Sequence, residues 1–210
     1  MAQNLQMIRA MRLLNAVALG TTSGAQMQTL LADSDRAAAF NALLNRPGQM
    51  RRMAASSTAM AALKGSAALP LSSIPAMTSA SAPSGDASAL SEYAGFQAYK
   101  AFNQSGSYWV TQSANMTNQW LRYSFPTPRF VHTIELTPGA EGGPTKWRLE
   151  YSDDGSTWVP VLSVPSYTPV SNVKTTHDVI AAGKHTHWRM FAETATSYCS
   201  VNEMQLLGFQ

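Results

Sequence analysis

Apolar residues in the first part of the chain recur with the period of a helix. Similar spacing of Met, Leu and Ala continues as far as Gly65 and predicts several short α-helices. These helices would carry little bulky apolar volume, so we expect residues 1–65 to be a helical anchoring or oligomerisation region that packs against another chain. A loose helical hairpin packed on the rest of this chain is the alternative. The clearest repeating positions are Leu5, Ile8, Met11 and Leu14.

From residue 91 onward the apolar positions alternate with period two, which is typical of half-buried strands. Clusters of Gly, Pro, Asn and Asp separate the runs, as they do in turns. The pattern predicts an antiparallel β-sandwich over residues 91–210. In "QWLRYSF" the two predicted faces are Leu121, Tyr123 and Phe125 on one side, and Trp120, Arg122 and Ser124 on the other.

Between these parts lies a segment rich in Ser, Ala and Pro, residues 66–90. Asp86 is its only charged residue, and it has no aromatic residue. Such a composition buries too little apolar surface to offset the entropy lost on ordering. We therefore expect an extended linker, or a strap that lies along a neighbouring subunit.

Charge and aromatic content also change along the chain, the net charge at residue 65 and the aromatic content at residue 90. Residues 1–65 carry seven Lys and Arg against two Asp, and residues 66–210 carry eight against ten acids, so the net charges are +5 and −2. Of the 19 aromatic residues, 18 follow residue 90. The small excess of positive charge is weak support for nucleic-acid binding, and no nucleic-acid partner is expected.

The sequence also bears on membranes and disulfides. No run of about 18 apolar residues is present, so we expect no membrane insertion and no transmembrane segment. Arg12 and Asn15 interrupt the first apolar stretch, which favours a helix over a signal peptide. Cys199 is the single cysteine and cannot form an intramolecular disulfide.

The stretch "WRLEYSDDGSTW" contains two adjacent carboxylates, Asp153 and Asp154. Adjacent acids on a turn cannot flank one glycosidic bond at the separation that hydrolysis needs. Asp before Gly instead favours a tight hairpin between two strands. Because no nucleophile, phosphate-loop or dinucleotide motif is present either, we expect no catalytic residues and no enzyme activity.

Several segments in order resemble the discoidin, or coagulation factor 5/8 type C, family. They are "AYKAFNQSGSYW", "NQWLRYSF", "PTKWRLEYSDDGSTWVPV", "HWRMF" and "VNEMQLLGF", and their order and spacing agree with the family across residues 91–210. The resemblance implies a jelly-roll β-sandwich of the galactose-binding type, used as a non-catalytic module that binds sugars, lipid head groups or proteins.

The same resemblance implies a structural calcium ion in many members of the family. The matching positions here are Asn103 and Glu203, with Ser105 and backbone carbonyl groups nearby. An amide stands where the family usually has a carboxylate, which lowers the expected affinity for Ca²⁺.

Family members bind their ligands through loops at one end of the sandwich. The aromatic and amide residues of the corresponding loops are the candidates for sugar contact, although each aromatic residue is equally compatible with packing of its own loop. These candidates are Tyr108, Asn115, Tyr167 and Tyr198.

The N-terminal part adds a second resemblance. "RMAASSTAMAAL" is similar to Ala/Ser/Thr/Met repeats of tailed-bacteriophage virion proteins. We therefore interpret the chain as a non-catalytic virion structural protein, a tail, baseplate or head appendage. Residues 1–90 would dock to other virion proteins and the exposed sandwich would bind a host cell-surface glycan. A homo-oligomer, such as a trimer, would raise the avidity of a weak sugar site.

Two other functions fit the same residues. The sandwich could be a decoration or cement protein of the particle that has no glycan site. Alternatively, the chain could be a carbohydrate-binding module of a secreted bacterial protein.

Overall fold

The computed structural model describes residues 71–114, 116–179 and 183–209, and six isolated residues with helical backbone at positions 12, 13, 16, 26, 29 and 39. Nearly all of the predicted helical region 1–65 lies outside the described residues, so its helices stay predictions. The chain divides into two compact units. One contains Met1–Ser72, Ile180–Lys184 and Gly208–Gln210, and the other, called the β domain below, contains Ser73–Val179 and His185–Leu207.

The described residues form nine strands and one 3₁₀ helix. All the strand pairings described below are antiparallel. The strands are β1 (Leu71–Ser72), β2 (Asp86–Ala89), β3 (Trp109–Val110), β4 (Gln119–Pro138), β5 (Pro144–Ser152), β6 (Val159–Val164), β7 (Thr175–Asp178), β8 (His185–Ala195) and β9 (Ser200–Phe209), and the 3₁₀ helix is Ala98–Phe102.

The strands form the two layers of a sandwich, and β4 belongs to both. The first half of β4 pairs with β2 and β8, and β5 and β6 continue that layer. The second half of β4 pairs with β7 and neighbours β9, which pairs with β3. Strand β1 pairs with the last residues of β9 within the other unit. The predicted fold class, a mainly β antiparallel sandwich, is confirmed.

The period-two pattern correctly predicts the core face of β4. Leu121, Tyr123 and Phe125 are buried, and the alternate residues between them are half-buried. Alternating burial of this kind removes apolar side chains from water on one face of a strand. The largest fully buried side chains of the domain are Trp109, Trp147, Trp188, Tyr123 and Phe102.

Strand β4 is longer than the sequence predicts. The sequence predicts two separate strands because "PTPR" lies between the two halves. In the structure one strand continues through this stretch, with a register shift between Ser124 and Arg129. Proline is tolerated there because a shift in the ladder leaves backbone groups without sheet partners.

Strand β5 contains two polar residues that are more buried than their face predicts, Glu150 and Ser152. Glu150 belongs to the polar series of the strand, yet its side chain is only 4% exposed. It accepts hydrogen bonds from Arg148 and Arg189, and these two guanidinium groups lie over the rings of Phe191 and Trp158. The charge is buried because it is fully paired.

The β domain begins earlier than the predicted boundary at residue 91. Ile74 and Met77 are buried, and β2 pairs with β4 over four residues. The Tyr123 hydroxyl donates to the Ser84 carbonyl (2.7 Å), and a side chain at Gly85 would collide with the Tyr123 ring. Residues 73–90 are therefore part of the domain rather than a linker. Their composition hides this because the partners that bury Ile74 and Met77 lie far along the chain.

Candidate functional site

Three loops of the β domain meet around a pocket of about 230 Å³. The loops follow β2, β4 and β8, and β3 supplies the floor. The lining is mostly aromatic and holds a single carboxylate. The lining residues are Tyr93, Phe96, Val110, Glu141 and Tyr198.

The first wall is a tight turn from Tyr93 to Phe96. The N–H group of Phe96 donates to the Tyr93 carbonyl (2.9 Å), and Gly95 supplies the positive φ of 87° that the turn requires. Tyr93 N–H in turn donates to the Val110 carbonyl (2.8 Å), which fixes the turn to β3. The two rings lie edge to face with centroids 6.0 Å apart.

The second wall is the loop between β4 and β5, which carries Glu141. Its backbone is held against β9, because Gly139 N–H donates to the Ser200 carbonyl (3.1 Å) and Ser200 Oγ donates to the Gly142 carbonyl (3.0 Å). Gly142 has a φ of 121°, and a side chain there would meet the backbone of Tyr198. The sequence "GAEGG" therefore places Glu141 beside Tyr198.

The third wall is the loop between β8 and β9. Its Tyr198 ring is edge to face with Tyr93, at 6.2 Å between centroids. The next residue, Cys199, exchanges hydrogen bonds with Thr111, from Cys199 N–H to Thr111 Oγ1 (3.1 Å) and from Thr111 N–H to the Cys199 carbonyl (3.0 Å). Burial raises the pKa of the Cys199 thiol to about 12.

The structure separates the four predicted sugar-contact residues. Tyr198 lines the pocket, and the Tyr108 ring packs on Phe96, at 5.0 Å between centroids, behind the lining. Tyr167 lies elsewhere, where its hydroxyl is 3.1 Å from Thr175 Oγ1 and its ring is near Trp147 and His177. Asn115 lies outside the described residues. The role of all four in sugar contact stays a prediction.

Sequence reasoning missed the remaining lining residues. Tyr93 and Phe96 precede the first strand pattern, although two aromatic residues on a glycine turn, "YAGF", are an available signal. Glu141 is the only charged residue of the loop "PGAEGGP" and could have been chosen for that reason. The fold brings these residues next to Tyr198, and no local sequence pattern predicts that they share one pocket.

The predicted calcium ligands do lie together. Glu203 Oε2 accepts a hydrogen bond from Gln104 N–H (3.0 Å), and Gln104 stands between Asn103 and Ser105. The other oxygen, Glu203 Oε1, accepts one from Gln205 Nε2 (2.7 Å). Asn103 Oδ1 accepts from Ser105 N–H (3.1 Å).

This donor set is weak for calcium. It offers one carboxylate, and N–H donors face both of its oxygens, whereas Ca²⁺ takes six to eight oxygen ligands. Burial raises the pKa of Glu203 to about 7, which further lowers its charge near neutral pH. In the part of the chain that the structure describes, no three His, Cys, Asp or Glu side chains are grouped to hold a metal ion. Calcium at this loop stays a prediction.

The two carboxylates of "SDDGS" have separate structural partners. Asp154 Oδ1 accepts from Ser156 N–H (2.8 Å) and Thr157 N–H (2.7 Å), and these bonds hold the pKa of Asp154 well below its usual range. Asp153 lies 3.0 Å from His185 Nδ1. The prediction that Asp154 shapes the turn is confirmed, and Asp153 adds a tie to β8.

Comparison with known families agrees with this architecture. A sequence model described as the F5/8 type C domain matches residues 80–203, which is more than half of the 210 residues. No curated protein matches the chain. Within the described residues, no helix has the length and hydropathy needed to cross a membrane.

Two solved structures show the same fold. The family 32 CBM from C. perfringens NanJ, in complex with galactose, is 20% identical, covers 66% of this chain and 99% of its own, and gives a TM-score of 0.53. Chitosan-binding module 1 of a chitosanase/glucanase from Paenibacillus sp. IK-5 is 18% identical, covers 59% of this chain and 95% of its own, and also gives 0.53.

Proposed function

Because the chain belongs to the F5/8 type C family, we propose that its β domain is a non-catalytic module that binds carbohydrate in the pocket between Tyr93, Glu141 and Tyr198. The observation that carries the proposal is the pocket itself, in which three loops of one sandwich bring aromatic rings and one carboxylate together. One of the two similar structures is in complex with galactose and the other is named a chitosan-binding module, and both support carbohydrate as the class of ligand.

The lining suits a sugar ring. The faces of Tyr93, Phe96 and Tyr198 offer apolar surface to the C–H face of a pyranose, and the tyrosine hydroxyls and Glu141 offer polar groups to its substituents. Concave sites for drug-sized ligands hold about 300–1,000 Å³. A pocket of about 230 Å³ accommodates one sugar unit rather than a long segment of polymer.

The direct test is binding of the full chain to an array of host-surface and plant glycans, followed by titration of the best ligand. We expect Tyr198→Ala and Tyr93→Ala to weaken binding about tenfold or more, because each removes a stacking surface. Tyr167→Ala is the matched control, since it removes a tyrosine away from the pocket, and we expect unchanged affinity. Circular dichroism of each variant verifies the fold.

Two results would overturn the proposal. One is a wild-type chain that binds no glycan on the array. The other is a chain whose affinity falls equally for Tyr198→Ala and Tyr167→Ala, which would place the site elsewhere.

We further propose that this module is displayed on a bacteriophage particle. Residues 1–72, the part of the predicted docking region 1–90 that precedes the β domain, would contact other virion proteins, and the chain would form a homo-oligomer. Support comes from the "RMAASSTAMAAL" segment and from the concentration of positive charge in residues 1–65. Immunogold labelling of purified particles tests the location, and light scattering after gel filtration tests the oligomer. Particles that carry no label would favour the alternative of a secreted bacterial module. Labelled particles with a chain that binds no glycan would favour a decoration or cement protein.

A further inference from the structure

We propose that the pocket prefers sugars that carry a free amino group, and that Glu141 is the residue that selects them. This inference rests on the proposed carbohydrate-binding function and names the ligand class of the same site. It follows from the charge of the lining, in which Glu141 is the single carboxylate and the described lining residues include no Lys, Arg or His.

Glu141 differs from the other glutamates because its carboxylate is not already paired with a described residue. All six glutamates of the chain lie in the described ranges, and Glu141 alone has no hydrogen bond or ion pair with a described residue. The partners of the others are Ala98 N–H for Glu92, Lys174 for Glu135, Arg148 and Arg189 for Glu150, Lys146 and Arg148 for Glu193, and Gln104 and Gln205 for Glu203.

The backbone that carries Glu141 is nevertheless fixed. The flanking glycines are bonded to Ser200, and Gly143 N–H donates to Thr196 Oγ1 (3.3 Å). An exposed carboxylate on a held loop, beside an aromatic pocket, is preorganised to receive a cation without first breaking an internal pair.

The aromatic walls add to the same selectivity. The π faces of Tyr93, Phe96 and Tyr198 attract a cation, and Glu141 forms an ion pair with it. An N-acetyl group removes that charge, and a uronic acid would bring a second negative charge beside Glu141. Lys100, on the 3₁₀ helix that follows the Tyr93–Phe96 turn, donates from Nζ to the Gly95 carbonyl rather than pairing with Glu141.

The test compares galactose, galactosamine and N-acetylgalactosamine, and the matching glucose series, each displayed at equal density on one polymer. Titrations use the full chain in mildly acidic, low-salt buffer, where the amines are protonated. We expect the amino sugar of at least one series to bind about tenfold more tightly than its N-acetylated and neutral relatives. The preference should shrink as salt is added.

Glu141→Gln is expected to reduce the amino-sugar preference to about twofold or less, because the ion pair is lost. Glu135→Gln is the matched control, since Glu135 pairs with Lys174 away from the pocket, and its preference should equal that of the wild type. Equal wild-type binding of all three sugars, or a preference that survives Glu141→Gln, would overturn this inference and leave the proposed function standing. Binding of no sugar at all would overturn both.

Discussion

At the scale of single residues, the polar side chains of the β domain show how local chemistry shapes the loops. Asp154 accepts four hydrogen bonds, from Ser152 Oγ, Ser156 N–H, Thr157 N–H and Thr157 Oγ1. Its neighbour Asp153 is largely exposed, with 66% of its side chain accessible, and contacts His185 alone among the described residues. Two adjacent aspartates therefore contribute very differently to the structure of the turn, because one accepts four hydrogen bonds and the other pairs with a single histidine.

We expect Asp154→Asn to lower the melting temperature more than Asp153→Asn does. The asparagine at 154 cannot accept on both of its terminal atoms, so backbone and hydroxyl donors of the turn lose their partner. Thermal unfolding at neutral pH, followed by circular dichroism, measures both variants. A larger loss for Asp153→Asn would show that the tie to β8 matters more than the turn.

His177 makes the stability of the domain sensitive to acid. Burial beside Trp147 and Tyr167 lowers its pKa, so the unfolded chain takes up a proton at a higher pH than the folded chain does. The stability that neutral His177 supports is present above its unfolded pKa of about 6.5 and is lost as the pH falls below that value.

The prediction is that His177→Gln loses less unfolding free energy than the wild type when the pH is lowered from about 7 to about 5. Urea unfolding at a series of pH values measures the difference between the two proteins at each pH, which cancels the titration of groups common to both. Parallel curves for the two proteins would contradict the assignment.

At the scale of elements, what the sequence predicts depends on whether the signal is local. The alternation along the first half of β4 and the Asp-Gly turn between β5 and β6 are properties of neighbouring residues, and both are confirmed. The inclusion of residues 73–90 is not local, because Ile74 and Met77 are buried against partners far along the chain. Ile74 N–H, for example, donates to Gln205 Oε1 (3.1 Å).

The candidate site follows the same rule. Tyr198 could be selected from the sequence because it is an aromatic residue in a predicted loop, and it lines the pocket. Glu141 and Tyr93 could not be joined to it from the sequence, because three loops separated by whole strands bring them together. Their meeting depends on backbone bonds such as Tyr93 to Val110 and Gly139 to Ser200, which only the folded sandwich creates.

The loop after the 3₁₀ helix offers a test of calcium at this same scale. We expect Asn103→Asp to make the melting temperature depend on calcium, because a second carboxylate would then face the loop with Glu203. In the wild type we expect millimolar Ca²⁺ or a chelator to change the melting temperature little.

The readout is thermal unfolding of both proteins with added CaCl₂ and with chelator, and MgCl₂ serves as the control for ionic strength. A strong calcium-dependent rise in the wild type would show that backbone carbonyls complete a site despite the single carboxylate. No calcium response in Asn103→Asp would show that the loop has lost the geometry as well as the charge.

At the scale of the whole molecule, the single cysteine reports on the integrity of the β domain. Cys199, the residue after Tyr198, is buried, and burial raises the pKa of its thiol. Alkylation needs both access and the thiolate, so the native thiol is protected twice.

We expect iodoacetamide to modify the native chain at least about a hundredfold more slowly than the chain in strong denaturant. Tyr198→Ala should accelerate labelling of the native protein, because it removes the ring contact with Tyr93 that helps to hold the loop between β8 and β9, whereas Tyr167→Ala should not. Mass spectrometry over time gives the rates. Rapid labelling of the native wild type would mean that the loop between β8 and β9 opens on its own.

Strand β4 has one further consequence, for the mechanical behaviour of the domain. Both layers share this strand, which passes from one layer to the other through the solvent-exposed residues 126–128. Strand β4 is therefore one direct backbone link between the layers. A single cut within those three residues would leave most of the hydrogen bonds in place but would remove that link, so the layers would be coupled through their packing and the remaining loops.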